Sequence, residues 1–286
     1  MWFANNTPVE KAVLGYAAKY AIRHGVKLFA LAIEGSHIQL PALFPNSNRA
    51  DFMRDFNSNV AKAVIRLTEN YPGGGLFGRR YSNEFTPGND DIEEYFFYTA
   101  LQPVHDGLVE RISDFPFYNC FSDAVNGIER KVEVPRWEEY RAKKRHDPLV
   151  SIKDFTDIFI LKYERLPGYE HLTQKEYSNL MHQKLEVRRA AIVKERLAAG
   201  VGVVGRNNLL KTIPGTPAKN PKRSNRNSHR PRILCVCPER REKYKTWYFN
   251  LYFAFKKASE LYRKGDLSVI FPIGMYPPHL PCQKAP

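Results

Sequence analysis

The sequence predicts an α+β protein in which helices pack on one antiparallel sheet. Apolar residues recur at helical spacing in two early segments, about residues 7–24 and 48–71. Between and after them lie short β-type runs bounded by Gly, Pro and Asn. The resulting order of helix, strand, strand, helix, strand and helix is typical of helices layered on a sheet. With 286 residues, of which 43% are hydrophobic, the chain can bury such a core.

The first helix is predicted from its capping residues. Thr7 is expected to be the N-cap, with Pro8 at the first helical position and Glu10 completing a capping box. We expect this helix to run to about His24 and to end at Gly25.

Two strands are predicted next, in the segments VKLFALAIEG and SHIQLPALF. A tight turn at Glu34, Gly35 and Ser36 would join them into a hairpin. The second helix, over about residues 48–71, follows this hairpin. A Gly-rich loop then leads to a short strand within PGGGLFGRRYSNEF, and a helix with an acidic start begins near Asp90.

Past about residue 128 the sequence becomes more charged and less regular. We expect a helical extension over residues 129–211, whose long helix is capped by Thr173 with Glu176. Residues 212–232 are rich in Pro, Asn, Ser and basic residues, which predicts a flexible basic linker. Residues 233–286 hold an aromatic-basic helix and a Pro-rich tail.

The charge of the chain favours a polyanionic partner. The formal net charge is +14 and the isoelectric point is about 9.6, which makes nucleic acid the favoured ligand over a membrane surface. No apolar run approaches a membrane span, and we expect neither such a span nor a signal peptide. The four scattered cysteines suit a reducing cytosol better than a disulfide scaffold.

For the two tyrosines in the segment YFFYTALQPVHDGLV, a catalytic role has to be distinguished from a packing role. Helical spacing places Tyr95 on the apolar face, where we expect it in the core. Tyr98 falls on a separate ridge, one turn after Glu94 and one turn before Gln102. By itself a helical tyrosine is more often a packing or surface residue than a nucleophile.

A histidine and a glutamine on a predicted strand complement these residues. In SHIQL, His37 and Gln39 are two positions apart, so both side chains leave the same face of the strand. A lone strand histidine is usually structural, and His-x-Gln alone is a weak motif. Together with Tyr98 and Gln102, the pair forms a candidate site.

Three segments resemble the REP-associated tyrosine transposases, a branch of the single-tyrosine HUH nucleases. LAIEGSHIQL stands where the family has a strand ending in His-hydrophobe-His, and GGLFGRRYSNEF is similar to its Gly-x-hydrophobe-aromatic-x-Arg-aromatic segment. FYTALQPVHDGLVERISDFPFYNC resembles the family's Tyr-Ile-x-x-Asn-Pro-Val-x-x-Gly-Leu-Val segment with its following aspartate, aromatic and Pro pattern. The resemblance covers about residues 7–128. It implies an HUH-type antiparallel sheet with helices on its face for a domain of residues 1–128.

The resemblance also implies an activity and a set of site residues. Tyr98 matches the nucleophile, His37 the first HUH histidine and Gln102 the amide ligand, while Gln39 stands at the second histidine position. The implied enzyme cuts single-stranded or hairpin DNA with Mg²⁺ or Mn²⁺ and forms a 5′-phosphotyrosine. Its implied location is the bacterial cytosol or nucleoid, and monomer and dimer both stay open.

Two departures from the family pattern keep a second interpretation open. With Gln39, the ligand set is one imidazole and two amides, which is weak for Mg²⁺ unless a carboxylate such as Glu94 compensates. In the family, a strand before the first helix opens the sheet. In this sequence the segment before Thr7 is only MWFANN. The alternative is a domesticated hairpin-DNA or RNA binding protein that cuts weakly or not at all.

Further candidates concern contacts with DNA. Arg79, Arg80 and Tyr81 follow the Gly-rich loop, where guanidinium groups can meet phosphates and a ring can stack on a base. Lys222, Arg223 and Arg226 belong to the basic linker, which binds phosphate through counterion release or is an inert spacer.

Two C-terminal features have plainer interpretations. The aromatic residues around Trp247 are expected to be core rather than a base-stacking surface. Cys235-x-Cys237 has a spacing that matches no common zinc finger.

Overall fold

The computed structural model describes residues 1–78, 81–217, 232–273 and 275–278. Within these residues the protein has a mixed α+β structure of helices and small antiparallel strand pairs, which confirms the predicted α+β class. No helix among them is long and apolar enough to cross a membrane.

The helices are α1 (Thr7–His24), α2 (Arg49–Leu67), α3 (Asn89–Ala100), α4 (Gln102–His105), α5 (Phe121–Asn126), α6 (Trp137–Lys144), α7 (Gln174–Ala198), α8 (Arg206–Leu210) and α9 (Pro238–Arg263). The strands are β1 (Lys27–Leu28), β2 (Ala32–Ile33), β3 (Ile38–Gln39), β4 (Ala42–Leu43), β5 (Arg130–Pro135) and β6 (Thr156–Leu161). Short 3-10 turns lie at Ile112–Asp114 and Ile152–Phe155.

Two groups of contacts divide the chain into compact units. The first unit comprises Met1–Ser82 and Ile92–Ser224, and the second comprises Asn83–Asp91 and Asn225–Pro286. This division differs from the segments expected from the sequence, because β5 and β6 pack on α1 and so join residues after 128 to the N-terminal helices.

The ends of α1 show which residues cap it. The helix has the predicted bounds, and Gly25 at its C-terminus takes the left-handed conformation with φ of 63°. Thr7 was expected to be the N-cap. This expectation is wrong, because the side chain of Asn6 accepts the hydrogen bond from Val9 N instead. Glu10 does not complete a capping box, since its carboxylate accepts a hydrogen bond of 2.9 Å from Tyr118 N.

The predicted hairpin forms, but it is split into two short strand pairs. The tight turn is closed by a hydrogen bond of 2.9 Å from Glu34 N to the His37 carbonyl. Beyond it, β2 pairs with β3 and β1 pairs with β4, each over two residues. Pro41 lies between β3 and β4, and its missing N–H interrupts the ladder while its carbonyl accepts from Phe29 N. The expectation of two continuous strands is wrong for this reason.

A second hairpin lies where an irregular, mostly helical extension was expected. β5 and β6 pair antiparallel over six residues each, so that expectation is wrong for residues 130–161. Val132 and Val134 are buried while the charged residues between and before them are exposed. This alternation has the period of two that a half-buried strand requires.

The strands do not assemble into the single sheet that was expected. In the described residues they form three separate two-stranded pairs. The strand predicted after the Gly-rich loop is reduced to an isolated bridge between Phe85 and Ile233, both in the second unit. Strands of two residues, such as β1 and β4, offer too few hydrogen bonds to recruit further neighbours.

Helix packing forms the core of the first unit. Phe52 and Phe56 of α2 are buried and stack with ring centroids 5.7 Å apart, and α2 packs along α1. α7 packs on α4 and α5, and it begins with the predicted capping box of Thr173 and Glu176. The contact with α7 therefore helps to position α4, which carries Gln102 of the candidate site.

The aromatic-basic helix α9 is not the core helix that was expected. Its buried residues in the described chain are Ala258 and Ser259, whereas Trp247 is 53% and Phe253 59% exposed. At 100° per residue, the aromatic positions between 247 and 255 extend around more than one face. A single packing face cannot bury all of them.

A glycine in α1 allows the helix to approach the second hairpin closely. A Cβ at Gly15 would lie 2.8 Å from Val134 Cγ2 and 2.9 Å from the Glu133 carbonyl oxygen. We predict that Gly15→Ala lowers the free energy of unfolding by about 1–3 kcal/mol, because α1 must shift away from β5. Urea unfolding followed by circular dichroism measures this change.

Gly202→Ala is the control for this substitution, since a Cβ at residue 202 meets no atom within 4 Å. It should leave the unfolding midpoint nearly unchanged. Equal midpoints for Gly15→Ala and the wild type would mean that the close contact does not constrain the fold.

Candidate functional site

Strand β3 and the residue directly before it, His37, present Gln39 and His37 to the site. Antiparallel pairing sets Ala32 opposite Gln39 and Ile33 opposite Ile38. Ile38 packs against the hydrophobic core. Because neighbouring side chains of a strand point to opposite faces, His37 and Gln39 leave on the face away from Ile38.

Helices α3 and α4 present the tyrosine and the second glutamine. α3 ends at Ala100, and Pro103 lies in the first turn of α4, where its missing N–H costs no hydrogen bond. Tyr98 is 43% exposed, as expected of a residue off the core face, and Gln102 is only 4% exposed.

Tyr95 is not the core residue that was expected. Phe96 and Phe97 are the buried rings of this helix, and Tyr95 is only half-buried. Its ring stacks on Tyr98 with centroids 6.0 Å apart and an interplanar angle of 11°. The stacked pair therefore stiffens the candidate nucleophile.

Hydrogen bonds join the strand residues to the helix residue. Gln39 Nε2 donates to Gln102 Oε1 at 3.2 Å and lies 3.4 Å from His37 Nε2. Gln102 Nε2 in turn donates to Asp106 Oδ2 at 3.1 Å. These four residues, His37, Gln39, Gln102 and Asp106, are called the amide cluster below.

The amide cluster sets the state of His37. An amide nitrogen can only donate, so His37 Nε2 accepts and the ring proton lies on Nδ1. Burial lowers the pKa of His37, and the negative charge of Asp106 partly opposes this shift. A neutral imidazole with a lone pair at Nε2 is the form that binds metals.

A buried carboxyl group lies in the turn that leads to His37. Glu34 is 4% exposed, and its Oε1 has no hydrogen-bond partner. Burial raises its pKa to about 8, and the nearby negative charge of Asp106 raises it further. From the sequence, Glu34 was expected in a turn and Asp106 had no expected role. The available signal was a charged residue at the end of the apolar run LFALAI.

The ring of His105 also contacts the tyrosine. Its centroid lies 5.7 Å from that of Tyr98 in an edge-on arrangement, and His105 Nδ1 lies 3.7 Å from Asp106 Oδ1. His105 thus contacts both Tyr98 and Asp106, the last member of the amide cluster.

Glu94 does not compensate for the missing histidine in this arrangement. Its carboxylate pairs with Arg188 of α7 at 2.9 Å. Glu93 beside it pairs with Lys184 at 2.8 Å. Both carboxylates thus tie α3 to α7.

Most of the expected DNA contacts fall outside the part of the chain that the structure describes. These are Arg79, Arg80, Lys222, Arg223 and Arg226. Tyr81 is described and half-buried. The DNA-binding roles of all these residues, Tyr81 included, stay predictions.

The donor atoms of the site fit a hard divalent cation better than a soft one. Among the described residues, no group of three or more His, Cys, Asp or Glu side chains is arranged to hold a metal ion. Oxygen donors are nevertheless available, because Gln39 Oε1 and Glu34 Oε1 are both buried without a hydrogen-bond partner. Amide and carboxylate oxygens are the donor types that Mg²⁺ and Mn²⁺ prefer, and these are the ions that the resemblance implies.

Comparison with protein-family models, with curated proteins and with solved structures found no match to this chain. The chemical interpretation of the site therefore rests on its residues and their geometry.

The buried carboxyl predicts a pH dependence of stability in metal-free buffer. Between its ordinary pKa of 4.5 and about 8, folded Glu34 keeps a proton that the unfolded chain releases. Raising the pH through this window therefore lowers the free energy of unfolding, by at most about 1.4 kcal/mol per pH unit. Below pH 4.5 this contribution is constant.

Glu34→Gln removes the ionisation and keeps the shape of the side chain. Urea unfolding of both proteins with a chelator, from pH 4 to 9, should show the wild type losing stability relative to the variant as the pH rises. Parallel curves across this range would contradict the assignment of a raised pKa to Glu34.

Proposed function

We propose that this protein is a metal-dependent nuclease and strand transferase of the single-tyrosine HUH type, acting on single-stranded DNA with hairpins. The observation that supports this most is the hydrogen bond of 3.2 Å between Gln39 and Gln102, residues 63 positions apart. It joins β3, which His37 directly precedes, to the start of α4, four residues after Tyr98 in the chain. The proposal thus combines the family resemblance with a contact that the resemblance requires.

Tyr98 would carry the covalent step. Its phenolic oxygen attacks the scissile phosphorus and loses its proton to water. The new bond joins Tyr98 Oη to phosphorus as the bond from phosphorus to the 3′ oxygen breaks. The leaving oxygen takes a proton and becomes a 3′-hydroxyl, while the 5′ end stays on the enzyme as a phosphotyrosine ester. Because one phosphoester replaces another, the 3′-hydroxyl of a second strand can reverse the step.

A phenol has a pKa of about 10 and is a poor nucleophile at neutral pH, so this step needs assistance. A divalent ion bound by His37, Gln39 and Gln102 would supply Lewis-acid polarisation of the phosphoryl oxygen. The amide cluster brings these three side chains together, and Gln39 would turn its oxygen toward the ion, since its Nε2 faces His37 and Gln102 when no ion is bound.

The neighbouring rings would orient the nucleophile. Tyr95 stacks on Tyr98 from one side and His105 meets it edge-on. Two ring contacts restrict the side-chain rotation of an otherwise exposed residue, which reduces the entropy lost on reaching the reactive geometry. Tyr98 remains 43% exposed, so a DNA strand can approach it.

The charge of the chain supports a nucleic-acid substrate. The net charge of +14 draws in polyanions, and binding would release counterions from the DNA. The exposed end of α6 adds a local basic surface, formed by Arg141, Lys143, Lys144 and Arg145. Single-stranded DNA suits such a protein because its phosphates and bases are both accessible.

A second candidate function is binding of hairpin DNA or RNA with little or no cleavage. The observation that favours it is the amide of Gln39 at the position where the family has an imidazole. Incubation with hairpin DNA and Mn²⁺, followed by a denaturing gel, separates the two functions. A covalent adduct supports the enzyme, and retained binding without an adduct supports the binding protein.

Tyr98→Phe tests the nucleophile directly. The substitution removes one oxygen and keeps the stacking on Tyr95 and the edge contact with His105. We predict loss of the covalent adduct on a denaturing gel, with hairpin-DNA affinity nearly unchanged. The matched control is Tyr95→Phe, the other ring of the stacked pair, which should keep the adduct. An adduct that survives in Tyr98→Phe would remove Tyr98 from this role.

Gln39→His tests the metal dependence. Imidazole binds divalent transition ions more tightly than an amide does. We predict that the variant reaches half-maximal adduct formation at a Mn²⁺ concentration about tenfold or more below that of the wild type. Gln39→Ala, which supplies no donor, should need more Mn²⁺ than the wild type. Identical titrations for all three proteins would mean that residue 39 is not a ligand.

A further inference from the structure

A row of aromatic and basic side chains runs along α9 in the second unit. Phe249 and Phe253 are one helical turn apart, and their rings stack with centroids 6.2 Å apart and an interplanar angle of 25°. Phe253 is 59% exposed and Phe249 is half-buried. Lys245 lies one turn before this pair and Lys257 one turn after it, so the four residues follow one i, i+4 ridge of the helix. These four residues are called the aromatic ridge below.

The aromatic ridge lies away from the side on which α9 packs. On the packing side, Phe255 and Tyr262 both contact Phe271, each with ring centroids 5.8 Å apart. Two positions along an α-helix are about 200° apart around its axis, so Phe253 and Lys257 point away from the side of Phe255. The ridge is therefore not the face by which α9 packs on the described residues of its own unit.

An open depression lies beside the two stacked rings. The residues that line it are Glu242, Lys245, Thr246, Phe249, Asn250 and Phe253. Polar side chains thus alternate with the rings, and the surface is not a continuous apolar patch. Exposed rings in such a setting indicate contact with a ligand that is itself part apolar and part polar.

The charge around the aromatic ridge is positive. Seven Lys or Arg residues lie on α9 against three Glu residues. Lys256 and Lys257 are exposed, and within the described residues neither forms an ion pair. Lys245 pairs with Glu242 at 2.5 Å, but this pair is exposed and contributes little, so a phosphate can replace the carboxylate.

Flat rings between lysines fit single-stranded nucleic acid better than a protein partner. Every base has a face that can stack on an aromatic ring, and basic side chains contact the phosphates along the strand. The buried centre of a protein interface is instead depleted in lysine. A duplex keeps its bases stacked on one another, so it does not offer them to exposed rings.

We propose that the aromatic ridge is a binding surface for single-stranded DNA, on which bases stack against Phe249 and Phe253. Lys245, Lys256 and Lys257 contact the phosphates of the same strand. The surface is inferred from α9 itself, whereas the choice of DNA over RNA rests on the proposed function. The sequence favoured a core role for the aromatic residues of this helix, and their exposure in the structure supports the base-stacking role instead.

Binding of oligothymidine to the full chain tests the surface, because this DNA forms no hairpin. Fluorescence anisotropy in the presence of a chelator gives the dissociation constant without metal-dependent cleavage. We expect Phe253→Leu, which keeps an apolar side chain and removes the ring, to weaken binding about fivefold or more. The double variant Phe249→Leu/Phe253→Leu should weaken it further. Circular dichroism establishes that each variant is folded before titration.

Tyr276→Leu is the matched control, because Tyr276 is an aromatic residue of the same unit that is 84% exposed and lies outside α9. It should bind oligothymidine as the wild type does. Equal affinity of the double variant and the wild type would overturn the inference. Tighter binding of oligouridine than of oligothymidine would also overturn it, since RNA would then be the ligand.

A contact between two copies of the chain is the competing role for the ridge. It would give a dimer in analytical ultracentrifugation that Phe253→Leu dissociates, with the affinity for oligothymidine unchanged. This outcome would replace DNA by a second copy of the chain as the occupant of the ridge.

The double variant Lys256→Gln/Lys257→Gln tests the phosphate contacts. Each phosphate contact to a single strand contributes about 0.7 to the slope of log affinity against log salt concentration. We therefore expect the slope for oligothymidine to become less steep by about 1.4. An unchanged slope would contradict the contact of these lysines with phosphate.

The covalent adduct assay separates this inference from the proposed function. A wild type that binds oligothymidine through the aromatic ridge but forms no adduct with hairpin DNA would contradict the nuclease and support the binding surface. A wild type that forms the adduct, with oligothymidine affinity unchanged in Phe249→Leu/Phe253→Leu, would support the nuclease and overturn the surface.

Discussion

The hydrogen bond from Gln39 to Gln102 is the contact on which the site depends. It is a single amide pair, yet it links a two-residue strand to a four-residue helix, neither of which has enough backbone hydrogen bonds to fix its own position. The hydrophobic packing of Phe96 and Phe97 and of α7 on α4 holds the helix side of this contact. On the strand side, the turn closed by Glu34 and His37 sets the direction of both site residues. This junction lies close in the chain to Tyr98, the proposed nucleophile, which precedes Gln102 by four residues.

The electrostatics of the site oppose folding. The carboxyl of Glu34 is buried and lies under the influence of the negative charge of Asp106, so the cost of ionising it grows as the pH rises. In the proposed function, a divalent ion bound by His37, Gln39 and Gln102 would stabilise the folded protein by mass action, since the unfolded chain has no such site.

Local sequence signals predicted the long helices and the turn. They failed for features that depend on contacts between distant parts of the chain. The C-terminus of α1 at Gly25 and the capping box of α7 depend on neighbouring residues, so local patterns predicted them. The split of the first hairpin depends on Pro41, which was visible but was treated as part of a continuous strand. The pairing of β5 with β6 joins segments about 25 residues apart across α6, which no local pattern encodes. At the site, His37, Gln39 and Gln102 were expected together, whereas Glu34 and Asp106 were not, because burial without a partner is a property of the folded chain.

The central claim is that Tyr98 forms a covalent bond with DNA. Mass spectrometry of the protein after incubation with hairpin DNA and Mn²⁺, nuclease trimming and proteolysis locates the modified residue. The account predicts one nucleotide-bearing peptide, with the phosphate on Tyr98. A phosphate on Tyr95 or on any other residue, or no modified peptide when the protein has bound the DNA, would contradict it.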